Sequence, residues 1–191
     1  MRAALWLVGL VGADGLVIPG ATPDVGSGGL CCGGAVRLKP SPGKGHGAFA
    51  ERYLFPYQTL DTYAGEVITL RQLRARYGRA GEVADADAEW HAEWVAARRC
   101  RGVGATGAYV FKVSDDVYID AEDPKAGANW TRFLNHAAED DANLASSSVE
   151  ASAAAGGGPR VRFAVQSEVA PGDELCFSYG PGFFEEGEMV K

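Results

Sequence analysis

The chain has 191 residues, enough for one domain with its own hydrophobic core. Its formal charge of −7 argues against direct nucleic-acid binding and suits a basic peptide partner. No apolar run is long enough to span a bilayer as a helix, so no membrane partner is expected, and a monomer is.

Residues 3–13 form a short apolar run after a single Arg2, with small residues at Val11-Gly12-Ala13. Two readings stay open for it, a targeting segment of the secretory or organellar kind or a buried strand. Residues 14–34 are rich in Gly and Pro and read as a loop, so 1–34 is expected to be a flexible or targeting-like lead-in. Cys31, Cys32, Cys100 and Cys176 form no C-x-x-C pair, and His46, His91 and His136 have no H-x-x-x-H spacing. No metal site is therefore expected, and reduced thiols point to the nucleus or cytoplasm unless the N-terminal run is a targeting signal.

From residue 35 the pattern changes. Residues 35–38 alternate as a short strand, closed by Lys39-Pro40-Ser41-Pro42-Gly43. Ala48-Phe49-Ala50 follows a Gly-x-Gly turn, and residues 60–68 are a further extended candidate interrupted by Gly65. Thr69 is placed to cap a helix carrying Leu70, Leu73 and Tyr77, with Gly78 as its stop. Residues 82–99 read as a second helix, with Trp90 and Trp94 on one face as packing residues. Asp85, Asp87 and Glu89 near its start and Arg98 and Arg99 near its end complement the helix dipole.

Two strands are expected at 109–113 and 117–120 around the turn Ser114-Asp115-Asp116. Residues 145–159 read as a low-complexity surface loop. Strands at 161–165 and 174–177, joined through Pro171-Gly172, complete the series. The fold class is mostly β (α+β), built of short strands with a small helical insert at about 69–100. The regular strand–helix alternation of a Rossmann fold is missing.

Taken singly, the chemical motifs say little. Gly45-x-Gly47 lets a backbone approach a ligand closely, but no dinucleotide fingerprint surrounds it. Asn135-His136 is either a hydrogen-bonded structural pair or a ligand site. No G-x-S-x-G elbow and no convincing Cys–His pair supports nucleophilic catalysis.

Their order is more informative. Gly45-His46-Gly47-Ala48-Phe49-Ala50 is followed by Tyr63-Ala64-Gly65-Glu66, Tyr118-Ile119-Asp120-Ala121 and Gly127-Ala128-Asn129. Then come Arg132-Phe133-Leu134-Asn135-His136, Asn143 and Glu174-Leu175-Cys176-Phe177-Ser178-Tyr179-Gly180. Over residues 35–181 this series resembles the SET-domain protein lysine methyltransferases, leaving 182–191 as a short tail.

The resemblance implies a SET-domain β-clip fold with a C-terminal pseudoknot where residues 132–136 and 175–179 meet. It implies S-adenosyl-L-methionine as cofactor and a lysine-containing protein, a histone tail or another protein, as acceptor. Histone modification on chromatin is the family's commonest setting. Tyr179 would be the catalytic tyrosine, and Tyr63 and Phe177 would form the lysine channel with it. Gly45, His46 and Gly47 would contact the cofactor through backbone, and Asn135 and His136 would bind its amino-acid and adenine portions. Arg132 would be a supporting or cofactor-adjacent residue, and Tyr118 a cofactor-side candidate.

The chemistry is coherent with that assignment. A free lysine has a pKa of about 10.4 and must lose its proton before it can attack a methyl group. An aromatic channel disfavours the ammonium, and a neighbouring sulfonium pushes the same way. Phe177 lacks a hydroxyl that could hold a space-filling water, so di- or trimethylation is expected to be allowed. Departures from the family pattern are Ala137-Ala138 after His136, the extra residues 139–142, Ser178, and no zinc-binding cysteines after Gly180. They keep open an alternative, a SET-like module that binds cofactor or peptide with little turnover.

Overall fold

The computed structural model describes residues 30–78, 85–126, 129–149 and 158–180. The N-terminal apolar run, Gly127-Ala128, most of the low-complexity stretch and the tail from Pro181 lie outside the described residues.

In chain order come β1 (Leu30–Cys31), β2 (Val36–Ser41), β3 (Gly45–Ala50), β4 (Thr59–Tyr63) and β5 (Glu66–Thr69). Helices α1 (Leu70–Tyr77) and α2 (Asp85–Cys100) follow, then β6 (Val110–Lys112) and β7 (Val117–Asp120). Two short 3₁₀ helices, Pro124–Ala126 and Trp130–Phe133, lead to β8 (Asn135–His136), β9 (Leu144–Val149), β10 (Arg160–Val165) and β11 (Cys176–Phe177). The strands form three small sheets, ordered β1-β2-β3, β4-β10-β9-β11-β8 and β5-β7-β6. The fold is that of short strands with few helices, as expected.

Several elements differ from the sequence reading for identifiable reasons. Strand β2 continues through Lys39-Pro40-Ser41, where a turn was expected, because it pairs with β3 as far as Ser41↔Gly45. Pro40 is tolerated because β1 covers only Val36 and Arg37, so its missing N–H faces an open edge. The sheet also begins earlier than the expected loop allows, at Leu30.

Residues 60–68 are two strands in different sheets. The chain turns at Gly65, where an added Cβ would collide with the carbonyl of Asp120. Residues 144–149 are a strand, not a surface loop. The run Ala145-Ser146-Ser147-Ser148 has weak strand propensity, but β10 pairs with β9 at six registered positions.

The helical insert is fixed at both ends of its argument. Thr69 and Gln72 form a reciprocal capping box at the start of α1, and the Gly78 N–H closes its end on Arg74 O. Trp94 packs edge-on against Tyr77 at 5.4 Å and stacks on Trp90 at 6.1 Å. Arg98, read as complementing the helix dipole, is buried. It bonds the Tyr77 hydroxyl and Gly104 O, each at 3.0 Å, and pairs with Asp120 at 3.4 Å. Asp120 also accepts from Arg76 and Tyr77, and Arg76 forms a fork with Glu66. This charged cluster ties α1 and α2 to β7.

Two cores result. The larger is centred on Leu54, Phe111, Leu134, Phe163, Leu175 and Phe177; the smaller joins Ile68, Leu73, Tyr77, Val110 and Tyr118 beneath the insert.

Candidate active site

Three distant segments converge beside the larger core. Strand β11 runs parallel to β8, pairing Cys176 with Asn135 and Phe177 with His136. It also touches β9 through Phe177↔Leu144. Asn143 locks the junction: its Nδ2 donates to Glu174 O at 2.8 Å, and its Oδ1 accepts from Cys176 N at 2.9 Å. On the other side, Leu175 N donates to Ala48 O and Phe49 bridges Glu174, which brings β3 alongside.

Two registered pairs are too few to hold β11 against β8 by hydrogen bonding, at about 1 kcal/mol net each. Burial is the larger effect. Leu175 and Phe177 are almost fully enclosed, each contributing roughly 1.5–3 kcal/mol.

One half of the site is polar. Asn135 Nδ2 donates to His46 O at 3.0 Å and to Glu174 Oε1 at 2.7 Å, which leaves Oδ1 as the acceptor of that amide. A Cβ at Gly47 would overlap the Glu174 carboxylate and crowd Asn135 Nδ2, so the residue must be glycine for these groups to meet. Gly45 has φ +79, which keeps the β2–β3 turn tight, and the Lys44 ammonium donates to His136 O at 3.1 Å. Exposed backbone at Gly45 and His46, an amide acceptor and a carboxylate fit a ligand with a zwitterionic end. Burial and the charge of Lys44 hold the His136 imidazole below the ordinary histidine range. Burial pushes the Cys176 thiol up to about 11, so it is protonated at neutral pH and is no nucleophile.

The other half is aromatic. The Phe177 ring lies 4.8 Å from Tyr179, 4.9 Å from Phe163 and 6.0 Å from Phe111. Tyr63 packs 5.3 Å from Phe111 and donates its hydroxyl to Tyr109 O at 2.9 Å. Tyr179 is held at three points: its hydroxyl donates to Leu134 O at 2.8 Å, its N–H donates to His136 Nδ1 at 3.1 Å, and its ring lies 5.2 Å from His136. Burial raises the phenols of Tyr63, Tyr109 and Tyr179, which keeps them neutral donors.

Gly45, His46, Gly47, Asn135 and His136 thus gather on the polar side, and Tyr63, Phe177 and Tyr179 on the aromatic side. Arg132 is placed as a support. It donates to Ala121 O and Glu122 O, and its guanidinium lies over Tyr109 at 4.5 Å and Phe133 at 4.9 Å. Tyr118 is not brought to the site: it sits in the smaller core and bonds Asp115 O. Tyr109 and Glu174 were missed. Both were read as strand termini, and their only signal was an aromatic ring before the 110–112 strand and an acid opening the last motif.

A family model described as SET domain matches residues 45–180, more than two thirds of the chain. No curated protein matches the chain. Among solved structures, a humanized mutant of the Chaetomium thermophilum Polycomb Repressive Complex 2 bound to the inhibitor GSK126 is similar, at 23% identity and a TM-score of 0.46. The match covers 78% of this chain and 15% of that one.

Proposed function

The chain belongs to the SET-domain family, whose members are generally protein lysine methyltransferases, and from that premise we propose that it transfers a methyl group from S-adenosyl-L-methionine to a protein lysine. The observation that carries this reading is the join of the polar half of the site to its aromatic half at the Tyr179–His136 contact. The first would hold the cofactor: Asn135 and the backbone of Gly45–Gly47 bind its polar end, and His136 borders it. The bound cofactor supplies an electrophilic methyl group on a sulfonium.

The aromatic half would take the lysine. Tyr63, Phe177 and Tyr179 exclude water from the amine and so favour its neutral, nucleophilic form. The Tyr179 hydroxyl, whose one proton is held by Leu134 O, presents its oxygen as an acceptor that orients the reacting groups. Holding reactants in line contributes roughly 7–11 kcal/mol in favourable cases, so positioning is the larger part of the task. Arg132 and Tyr109 brace the wall. Phe177, without a hydroxyl, leaves room for further methyl groups. The acceptor is a basic protein segment, a histone tail or a comparable sequence.

The test is incubation of the purified protein with labelled S-adenosyl-L-methionine, core histones and whole-cell protein. Label is expected on lysine, and Tyr179→Phe is expected to lose activity roughly a hundredfold or more. Cofactor binding by calorimetry without label would favour a binding module; neither would reject both.

A further inference from the structure

Three aromatic side chains stand in water on the short segment between β3 and β4. Tyr53, Phe55 and Tyr57 are 55%, 58% and 93% exposed, while Leu54 between the first two is fully buried. Single exposed apolar residues are ordinary, but rings clustered on one segment mark an interaction surface. The backbone beneath them is fixed. Leu54 and Val169 exchange hydrogen bonds, each at 3.0 Å. Tyr57 N–H donates to Val165 O at 2.8 Å, and Gln58 N–H donates to Phe55 O at 3.1 Å. Tyr57 has φ +70, a left-handed conformation that is strained for a bulky residue. The neighbouring hydrogen bonds hold it there, so the most exposed ring is presented in spite of strain.

The chain itself carries a segment that suits this surface. Between residues 3 and 18 Asp14 is the one charged side chain, and Leu5-Trp6-Leu7-Val8 and Leu16-Val17-Ile18 are apolar. Residues 19–29, rich in Gly and Pro, tether that segment to Leu30. Leu30 pairs with Arg37 and Arg37 with Phe49, which puts Leu30 two strand spacings, about 10 Å, from Phe49. Phe55 lies at most about 22 Å further along the chain. Arg37 also bonds Glu51 at 2.7 Å, and Glu51 N–H donates to Ala35 O at 2.9 Å, so the β1–β2 hairpin is fastened to the start of the aromatic segment. A tether over residues 19–29 extends to about 36–40 Å, enough to deliver the apolar segment to the rings. Tethering keeps its local concentration near the millimolar range, so a contact too weak for a free peptide still forms.

We propose that the apolar segment 5–18 folds back onto Tyr53, Phe55 and Tyr57 and covers them, the chain supplying its own partner for this surface. The inference does not depend on the assignment of the active site.

The experiment is limited proteolysis of the full chain with chymotrypsin, with cuts between residues 5 and 18 followed by mass spectrometry. A synthetic peptide of residues 1–29 gives the unprotected rate. When opening is fast, cleavage follows the open population, so wild type should be cut at least about tenfold more slowly than the peptide. Phe55→Ser combined with Tyr57→Gly should bring the rate to within about threefold of the peptide. Glycine relieves the strain at position 57, so this variant should keep its thermal midpoint. Trp90→Ser, which removes an exposed ring from α2, should leave the protection unchanged. Cleavage of wild type at the peptide's rate would overturn the proposal, as would protection that survives in the double variant. Protection lost on dilution would assign the surface to a second copy and overturn docking within one chain.

Discussion

The imidazole of His136 links the two halves of the site through one atom. Its Nδ1 accepts from Tyr179 N–H, so the ring must be unprotonated there for the tyrosine to be held. Burial and Lys44 lower its folded pKa below the ordinary 6.5. The unfolded chain therefore takes up the proton first. The stabilisation is present above about 6.5 and is lost as pH falls through the folded value. An NMR titration should show His136 titrating below the ordinary histidine range, and His136→Gln should flatten the decline in urea stability between pH 7 and 5. Phe177→Tyr should shift products toward monomethyl-lysine, read by mass spectrometry of one peptide; an unchanged product ratio would discard the proposed role of the ring. At this scale the sequence motifs named Tyr63, Asn135, His136, Phe177 and Tyr179. They were silent on Tyr109, because what matters there is a backbone carbonyl and a ring under Arg132. They misplaced Tyr118, whose ring faces the insert.

Among elements, the insert depends on a buried charge cluster as well as on its apolar core. Asp120 accepts from Arg76, Tyr77 and Arg98 through Oδ2 and from Glu122 N through Oδ1. Glu122 in turn fixes Thr106 and Gly107 just before Tyr109. Removing one partner of a buried charged group typically destabilises by about 3–5 kcal/mol. Asp120→Ala should lose at least that in urea denaturation, and it should also reduce methyl transfer through the Tyr109 segment. Helix α1 was legible because its cap, apolar spacing and stop are local. Strand β9 was not, because its serines join a sheet only when β10 is alongside.

Taken whole, the chain combines net charge −7 with exposed Glu139, Asp140 and Asp141 a few residues beyond His136. A basic acceptor peptide should therefore bind more weakly as salt rises, since such surface attraction is screened over about 10 Å at 0.1 M. The KM of an arginine- and lysine-rich peptide should increase between 50 and 300 mM salt, while that of a peptide without flanking charge should not. The sequence by itself determined the family resemblance, the order of the motifs and the strands that alternate locally. Each of these depends on residues near one another in the chain. Only the tertiary structure decided that Arg98 is buried and that Lys44 turns onto His136. These contacts join segments separated by tens of residues, and their stability comes from shared burial and remote backbone partners that no local pattern encodes.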